Sequence, residues 1–136
     1  MNPEFKTQWI AALRSGEYTQ GHGTLQTHDN EFCCLGVLCD LYAKDGGGEW
    51  ERRDSPGSNS HIFRMDHNGD DDYGHQSRHY LPSNLREVAG LPDEFGGSGR
   101  LVGLYDLEGC EVVLSDLNDS KEFTFDQIAD VIDYFL

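Results

Sequence analysis

Three of the four cysteines of this chain lie within seven residues, in the stretch FCCLGVLCDLYAK over residues 32–44. Cysteine thiolates are nucleophiles and metal ligands, so the spacing of Cys33, Cys34 and Cys39 decides which chemistry is open to them. A structural zinc site uses paired ligands such as C-x2-C with a second pair at a set distance. Adjacent cysteines on one helix point in different directions, and we therefore predict neither a metal site nor a cofactor here.

A cysteine nucleophile is an alternative that this spacing allows. The N-terminus of a helix stabilises a thiolate. An enzyme with a cysteine nucleophile also needs a base within hydrogen-bond reach of the thiol. The order Cys34, Leu35, Gly36 before an apolar helix resembles the nucleophile helix of NlpC/P60 and other papain-like hydrolases. The resemblance implies a hydrolase or transferase with Cys34 as the nucleophile. It also implies a later histidine as the base, and His61 lies 27 residues downstream.

Core packing explains the same cysteines with fewer assumptions. Free cysteine is among the most frequently buried residue types. Between residues 32 and 44 the only glycine is Gly36, and apolar residues fall on nearly all sides of the predicted helix. That pattern is typical of a helix buried all round, with the glycine allowing close approach of a neighbouring element. We expect packing to be the main role of the cluster.

A second group of candidate residues lies in loops. The stretch SGEYTQGHG places one aromatic and two polar side chains among glycines just before the predicted buried helix. Loops on a rigid scaffold often carry binding residues. Arginine grips phosphate bidentately, and Arg14, Arg78, Arg86 and Arg100 are scarce cations in an acidic chain. The residues predicted to bind a small anionic, nucleotide-like ligand are Tyr18, Gln20, His22, Arg78 and Arg100.

A calcium site is also considered in the acidic stretch DHNGDDDYG. Asp66, Asn68 and Asp70 fall at the first, third and fifth positions of an EF-hand loop. However, Asp71 stands where that loop requires glycine, and Ser77 stands where it requires a bidentate glutamate. The stretch is therefore not predicted to be an EF-hand.

Charge is the strongest global property of the chain. It has 25 acidic and 10 basic side chains, a formal net charge of −15, with only three lysines. Nucleic-acid affinity depends on clustered lysine and arginine, so direct binding to DNA or RNA is not expected. A solvated acidic surface that keeps the protein soluble explains this balance, and mimicry of DNA or docking on a basic partner are the alternatives.

The cellular setting is predicted from the absence of two kinds of segment. A helix that spans a bilayer needs about 20 apolar residues in succession. No run in this sequence approaches that length, and the first residues, MNPEFKTQW, lack the basic and apolar regions of a signal peptide. We therefore expect a cytoplasmic protein that does not bind membranes.

Local patterns predict a single α+β domain over residues 1–136. Asn2 and Pro3 favour a helix start, and Thr124 with Gln127 predicts a capping box before a C-terminal amphipathic helix. Strands are predicted in EWERRD and SHIFRMD, and two more in RLVGLYDLEGCEVVL. We expect three or four helices on a small, mostly antiparallel sheet, a central buried helix at 32–44 and a mobile polar loop at 66–79.

Four blocks of this sequence resemble a family of small proteins encoded by phages and bacteria, many of them actinobacterial. The blocks are WIAALRSGEYTQGHGTLQ, FCCLGVLCDLYA, LPSNLREVAGL and LSDLNDSKEFTFDQIADVID, in the same order as in that family. The resemblance covers about two thirds of the chain and implies a cytoplasmic, phage-borne accessory protein, without implying an activity. This chain departs from the usual form of the family at residues 120–125, which leaves the role of the predicted Asn118-Asp119 turn open.

Three functions are compatible with these observations. The favoured one is a binding protein that sequesters a small nucleotide-like ligand or blocks a host or defence protein. The second is the Cys34–His61 hydrolase, and the third is an acidic DNA mimic.

Overall fold

The computed structural model describes residues 2–51, 61–65, 76–77, 79, 81–91, 97–101, 110–120 and 123–136. Within these residues the chain is α+β, as predicted, with five helices and seven short strands. The helices are α1 (Pro3–Arg14), α2 (Cys34–Lys44), α3 (Ser83–Ala89), α4 (Leu114–Asp119) and α5 (Phe125–Phe135). The strands are β1 (Thr19–Gln20), β2 (Glu31–Phe32), β3 (Gly48–Glu51), β4 (Ile62–Met65), β5 (Gln76–Ser77), β6 (Gly97–Leu101) and β7 (Cys110–Val113).

The described strands form three small sheets, whereas a single sheet was expected. Strand β4 lies between β3 and β5 in an antiparallel sheet, and β6 pairs with β7 antiparallel. The strands predicted in EWERRD and SHIFRMD are therefore neighbours in one sheet. The two-residue strands β1 and β2 pair in parallel, with Thr19 opposite Glu31 and Gln20 opposite Phe32.

The first and last helices begin where their capping residues predict. The Asn2 side chain accepts a hydrogen bond from the Glu4 amide at 3.0 Å, and Pro3 is the first helical residue. At α5, the Gln127 amide donates to the Thr124 hydroxyl at 3.4 Å, and the Thr124 amide donates to the Gln127 side chain at 2.9 Å. Both predicted caps are confirmed, and α1 and α5 pack against each other.

The central helix begins two residues later than predicted. Phe32 belongs to β2, and Cys33 has an extended backbone with φ −78° and ψ 169°. The Cys33 sulfur accepts a hydrogen bond from the Gly36 amide at 3.3 Å, so this cysteine acts as the N-cap of α2. Sulfur is a weak acceptor, and side-chain periodicity gives no sign of such a cap. Residues 34–39 are buried, whereas residues 40–43 are partly exposed and Lys44 is exposed, so only the first half of the helix is buried all round.

The core surrounds α2 and draws on segments from both ends of the chain. Large side chains without solvent exposure come from α1, the segment before β2, strand β4, α3 and the C-terminal helices. They include Trp9, Leu25, Phe63, Leu85, Leu114, Ile128 and Ile132. Helix α4 was not predicted as a helix, and the Asn118-Asp119 pair expected to form a turn lies at its end.

Two further expectations concern the loop at 66–79 and membrane-spanning helices. Most of the loop predicted at 66–79 lies outside the described residues, and Gln76–Ser77 within it form β5. None of the helices in the described part of the chain is both long and apolar enough to cross a membrane.

Gly36 allows the backbone before β2 to lie directly against α2. A Cβ atom at this position would overlap the carbonyl oxygen of Leu25. That carbonyl accepts a hydrogen bond from the Cys33 amide at 3.2 Å, which holds the segment in place. Because the obstacle is backbone, it cannot move aside as a flexible side chain would.

We expect the substitution Gly36→Ala to lower the free energy of unfolding by about 3 kcal/mol, through overpacking at Leu25. Alanine favours an α-helix over glycine by about 1 kcal/mol, so any destabilisation comes from the contact and not from propensity. Urea denaturation of the variant and the parent protein measures the difference.

Gly16→Ala is the matched control for this substitution. Gly16 has φ +77 and open space around its Cα. Alanine at this position lowers the free energy of unfolding by about 1 kcal/mol, because it must adopt the left-handed backbone conformation. A Gly36→Ala protein as stable as the parent would contradict the close contact between α2 and Leu25.

Candidate functional site

A groove opens between the end of α1, the segment that leads into β1, and the first turn of α5. We call it the α1–α5 groove; its volume is about 260 Å³. Two of its residues, Tyr18 and Gln20, were predicted from the sequence to bind a ligand. The full lining is Leu13, Arg14, Gly16, Tyr18, Gln20, Thr124, Phe125 and Asp126.

The Tyr18 side chain is held rigidly in the groove wall. Its hydroxyl donates to the Asp40 carboxylate at 2.6 Å and accepts from the Lys44 ammonium at 3.0 Å. Its ring meets the Phe32 ring edge to face, with centroids 5.1 Å apart. Partial burial, followed by the hydrogen bond to Asp40, raises the pKa of Tyr18. The residue therefore presents a neutral, fixed aromatic ring and does not supply a phenolate.

Asp40 is the residue that fixes Tyr18, and it was not predicted from the sequence. Its second carboxylate oxygen accepts from the Trp50 indole N–H at 3.0 Å, and Lys44 lies 3.4 Å from the first. The only sequence signal was an acid in an apolar helix, four residues before a lysine. That spacing is common on helix surfaces and does not indicate a tyrosine partner.

Arg14 is the cation of the groove. Its Nη2 atom donates to the Asp130 carboxylate at 2.6 Å, and both side chains are close to half exposed. The Asp126 carboxylate lies in the same lining. An exposed ion pair contributes about 0–1 kcal/mol to stability, so the guanidinium can exchange one anionic partner for another at little cost to the fold.

Gln20 connects the groove to the protein interior. Its Nε2 atom donates to the Asn118 side-chain oxygen at 3.1 Å and to the Phe123 carbonyl at 3.0 Å. These two bonds fix the plane of the carboxamide. Gln20 therefore lines the groove in one orientation.

Asn118 is a fully buried polar residue of α4 that joins this helix to two other segments of the chain. Its Oδ1 atom accepts from the Cys34 amide at 3.1 Å and from Gln20. Its Nδ2 atom donates to the Gly21 carbonyl at 2.8 Å and to Asp119 at 3.2 Å. The side chain thus satisfies the first free N–H of α2 from a distant part of the chain. From the sequence, only a turn was predicted at this position, without a role.

The cysteine cluster is packed in the interior. Cys34 has no solvent exposure, and its thiol lies 3.5 Å from the Leu114 carbonyl oxygen. Burial raises the pKa of Cys34 and of Cys39 well above the usual value, and that of Cys33 to about 12. A nucleophilic cysteine needs the opposite shift and access to substrate. The hydrolase hypothesis stays a prediction that thiol reactivity tests.

The other predicted site residues lie elsewhere. The His61 Nδ1 atom is 2.8 Å from the Gln26 side-chain oxygen, and its ring packs 5.1 Å from the His28 ring. His22 is exposed and is not among the groove-lining residues. Arg78 lies outside the described residues, and Arg100 is described only by its backbone, next to Glu111 in β7. Among the described residues, no group of three or more side chains could hold a metal ion.

We expect Cys33, Cys34 and Cys39 to resist iodoacetamide at pH 8 in the native protein and to react fully after unfolding. The raised pKa of each thiol keeps it protonated at this pH, and only the thiolate is alkylated. Peptide mass mapping of native and guanidinium-unfolded samples measures this. Fast alkylation of Cys34 alone, with an apparent pKa below the reference of about 8.5, would instead favour the hydrolase, and His61→Ala would then be tested for activity.

We expect the substitution Asn118→Asp to lower the free energy of unfolding by about 3 kcal/mol at pH 7. The new carboxylate would be buried against the Gly21 carbonyl, and it cannot donate to that oxygen when ionised. The protonated carboxyl can donate, so the loss of stability should shrink as the pH falls from 7 to 5. Urea denaturation at both pH values measures this, always against the parent protein at the same pH.

Asp116→Asn is the control for this experiment. It makes the reverse chemical change at an exposed position of the same helix. We expect it to change the free energy of unfolding by less than about 0.5 kcal/mol. If Asn118→Asp were equally mild, Asn118 would not hold the three segments together.

Comparison with known proteins gives a family without an activity. No curated protein and no solved structure matches the chain. One family model, a domain of unknown function named DUF8296, matches residues 1–136. That match spans the groove, the buried α2 helix and Asn118 alike. The chain belongs to the DUF8296 family.

Proposed function

We propose that this protein binds and sequesters a small anionic, nucleotide-like ligand in the α1–α5 groove. The observation that carries the proposal is the lining of the groove. One cavity of about 260 Å³ joins the Arg14 guanidinium, the fixed Tyr18 ring and the Gln20 carboxamide. The guanidinium matches the negative charge of a nucleotide's phosphate, the tyrosine ring matches its flat base, and the carboxamide matches the polar edge of that base.

Arg14 supports the anionic part of the ligand. A guanidinium binds phosphate through two parallel hydrogen bonds, and it remains charged at any physiological pH. The first turn of α5 lies in the same lining, and the positive end of the helix dipole favours an anion there. Asp130 occupies Arg14 in this structure, so a phosphate competes with that carboxylate for the guanidinium.

Tyr18 supports the ring of the ligand. An aromatic side chain contributes most to binding when it is already ordered, because little conformational entropy is then lost. The hydrogen bond to Asp40 and the edge contact with Phe32 provide that order. Burial by a stacked base adds apolar contact area without moving the tyrosine.

The groove is small for a ligand of this class, which would be only partly enclosed. Pockets for small molecules have volumes upward of about 300 Å³, and this groove lies just below that size. It would hold the base and one phosphate of a mononucleotide, with the remaining atoms in solvent. The resemblance to phage-encoded accessory proteins supplies a setting, in which a cytoplasmic protein withdraws a nucleotide-like signal from a host defence.

We expect substitutions of Arg14 and of Asp130, the two members of one ion pair, to change nucleotide affinity in opposite directions. Both Arg14→Gln and Asp130→Asn break the pair, but only the first removes the cation that meets phosphate. Arg14→Gln should weaken mononucleotide binding by about 10- to 100-fold, the worth of a charge-assisted hydrogen bond. Asp130→Asn should strengthen it by about 2- to 5-fold, because a competing carboxylate is gone.

Isothermal titration with AMP, GMP, CMP and UMP at low salt measures these effects, and thermal stabilisation by excess ligand provides a second readout. Neither variant should change the unfolding free energy by more than about 1 kcal/mol, since the pair is exposed. If none of the four nucleotides binds the parent protein, or if both variants weaken binding equally, the proposed function is wrong.

A further inference from the structure

We infer that the ligand of the α1–α5 groove carries a hydrogen-bond donor, an amino group, that meets the Oε1 atom of Gln20. This inference rests on the proposed function and narrows it to one class of ligand. An anionic group alone is then insufficient for recognition. The inference depends on a chain of hydrogen bonds that begins at the backbone of α2.

The orientation of the Asn118 carboxamide is fixed by two backbone groups. An amide N–H can only donate a hydrogen bond and a carbonyl can only accept one. The atom that lies 3.1 Å from the Cys34 amide is therefore the Asn118 oxygen. The atom that lies 2.8 Å from the Gly21 carbonyl is the Asn118 nitrogen. If the oxygen and nitrogen of Asn118 were exchanged, two donors would face each other at the Cys34 amide and two acceptors at the Gly21 carbonyl.

The orientation of Gln20 follows from that of Asn118. One end of its carboxamide lies 3.1 Å from the Asn118 oxygen and 3.0 Å from the Phe123 carbonyl oxygen. Both of these atoms accept hydrogen bonds, so this end must be the nitrogen, whose two hydrogens are used. Gln20 is left with its oxygen, which has no hydrogen-bond partner in the described part of the chain.

That oxygen belongs to a half-buried residue of the groove lining. A ligand that fills the groove removes water from it, and the loss is recovered only if the ligand offers a donor. The Asp126 carboxylate in the same lining is a second acceptor. The groove thus presents one cationic donor side chain, Arg14, and two acceptors, a pattern that selects an anionic ligand with its own N–H group.

The experiment compares two probes that differ by one donor. AMP has an exocyclic amino group, and purine riboside 5′-monophosphate lacks only that group. Isothermal titration of the full chain should show AMP binding about tenfold more tightly, the effect of one hydrogen bond to a partly buried acceptor. CMP and its analogue without the amino group form a second matched pair, which covers a preference for pyrimidines.

The substitution Gln20→Met assigns the discrimination to this residue. Methionine has similar length and no acceptor oxygen, so the variant should bind both members of a pair with equal affinity. Gln8→Met makes the same change at an exposed position of α1 outside the groove, and it should keep the tenfold preference. The comparison of ligands on the parent protein does not depend on the stability of either variant.

The outcomes separate this inference from the proposed function. Equal binding of both members of each pair would overturn the role of Gln20 and leave the nucleotide-binding proposal standing. Binding of no nucleotide would overturn both. A tenfold preference that survives Gln20→Met would overturn the assignment to Gln20.

Discussion

The structure depends on the carboxamide of Asn118, a buried polar group in an otherwise apolar region. It offers two acceptor and two donor positions, and the chain uses all four. The bond to the Cys34 amide completes the N-terminus of α2, whose first N–H groups have no partner within the helix. The bonds to Gly21 and Gln20 fix the segment that carries the groove. A single side chain thus joins the core to the candidate binding surface.

Near the hydrogen bond between Asn118 and the Cys34 amide, backbone groups as well as side chains hold helix α2 in place. Gly36 admits the Leu25 carbonyl, and the Trp9 indole donates to the Cys34 carbonyl at 2.8 Å. The thiols are buried in this packing, and burial raises the pKa of each above its usual value. The groove of the proposed function lies instead at the periphery of the core, where Tyr18 and Arg14 meet solvent.

Local signals predicted the parts of the fold that are determined locally. The caps at Asn2 and Thr124 fix where α1 and α5 begin, and the stretches EWERRD and SHIFRMD were predicted as the strands that form β3 and β4. The start of α2 was predicted too early, because a cysteine cap and a two-residue parallel pairing leave no periodic signal. Helix α4 has only six residues, and it was missed because so short a helix shows no repeating pattern.

The difference between local and long-range contacts also explains which residues of the candidate site were predicted. Tyr18 and Gln20 were predicted because they stand in a glycine-rich loop before a rigid helix, whereas the approach of Arg14 to them depends on how α1 packs on α5, which is a long-range contact.

The bond between Asn118 and Cys34 spans 84 residues, and those from Asn118 to Gly21 and Gln20 span 97 and 98. A ribosome releases the chain from its N-terminus, so α2 leaves the exit tunnel well before Asn118, the partner of its Cys34 amide, has been synthesised. Contacts of such sequence separation form late and slow the folding of a domain. Helix α2 and the segment before it must therefore wait, without these hydrogen bonds, until residue 118 has been made.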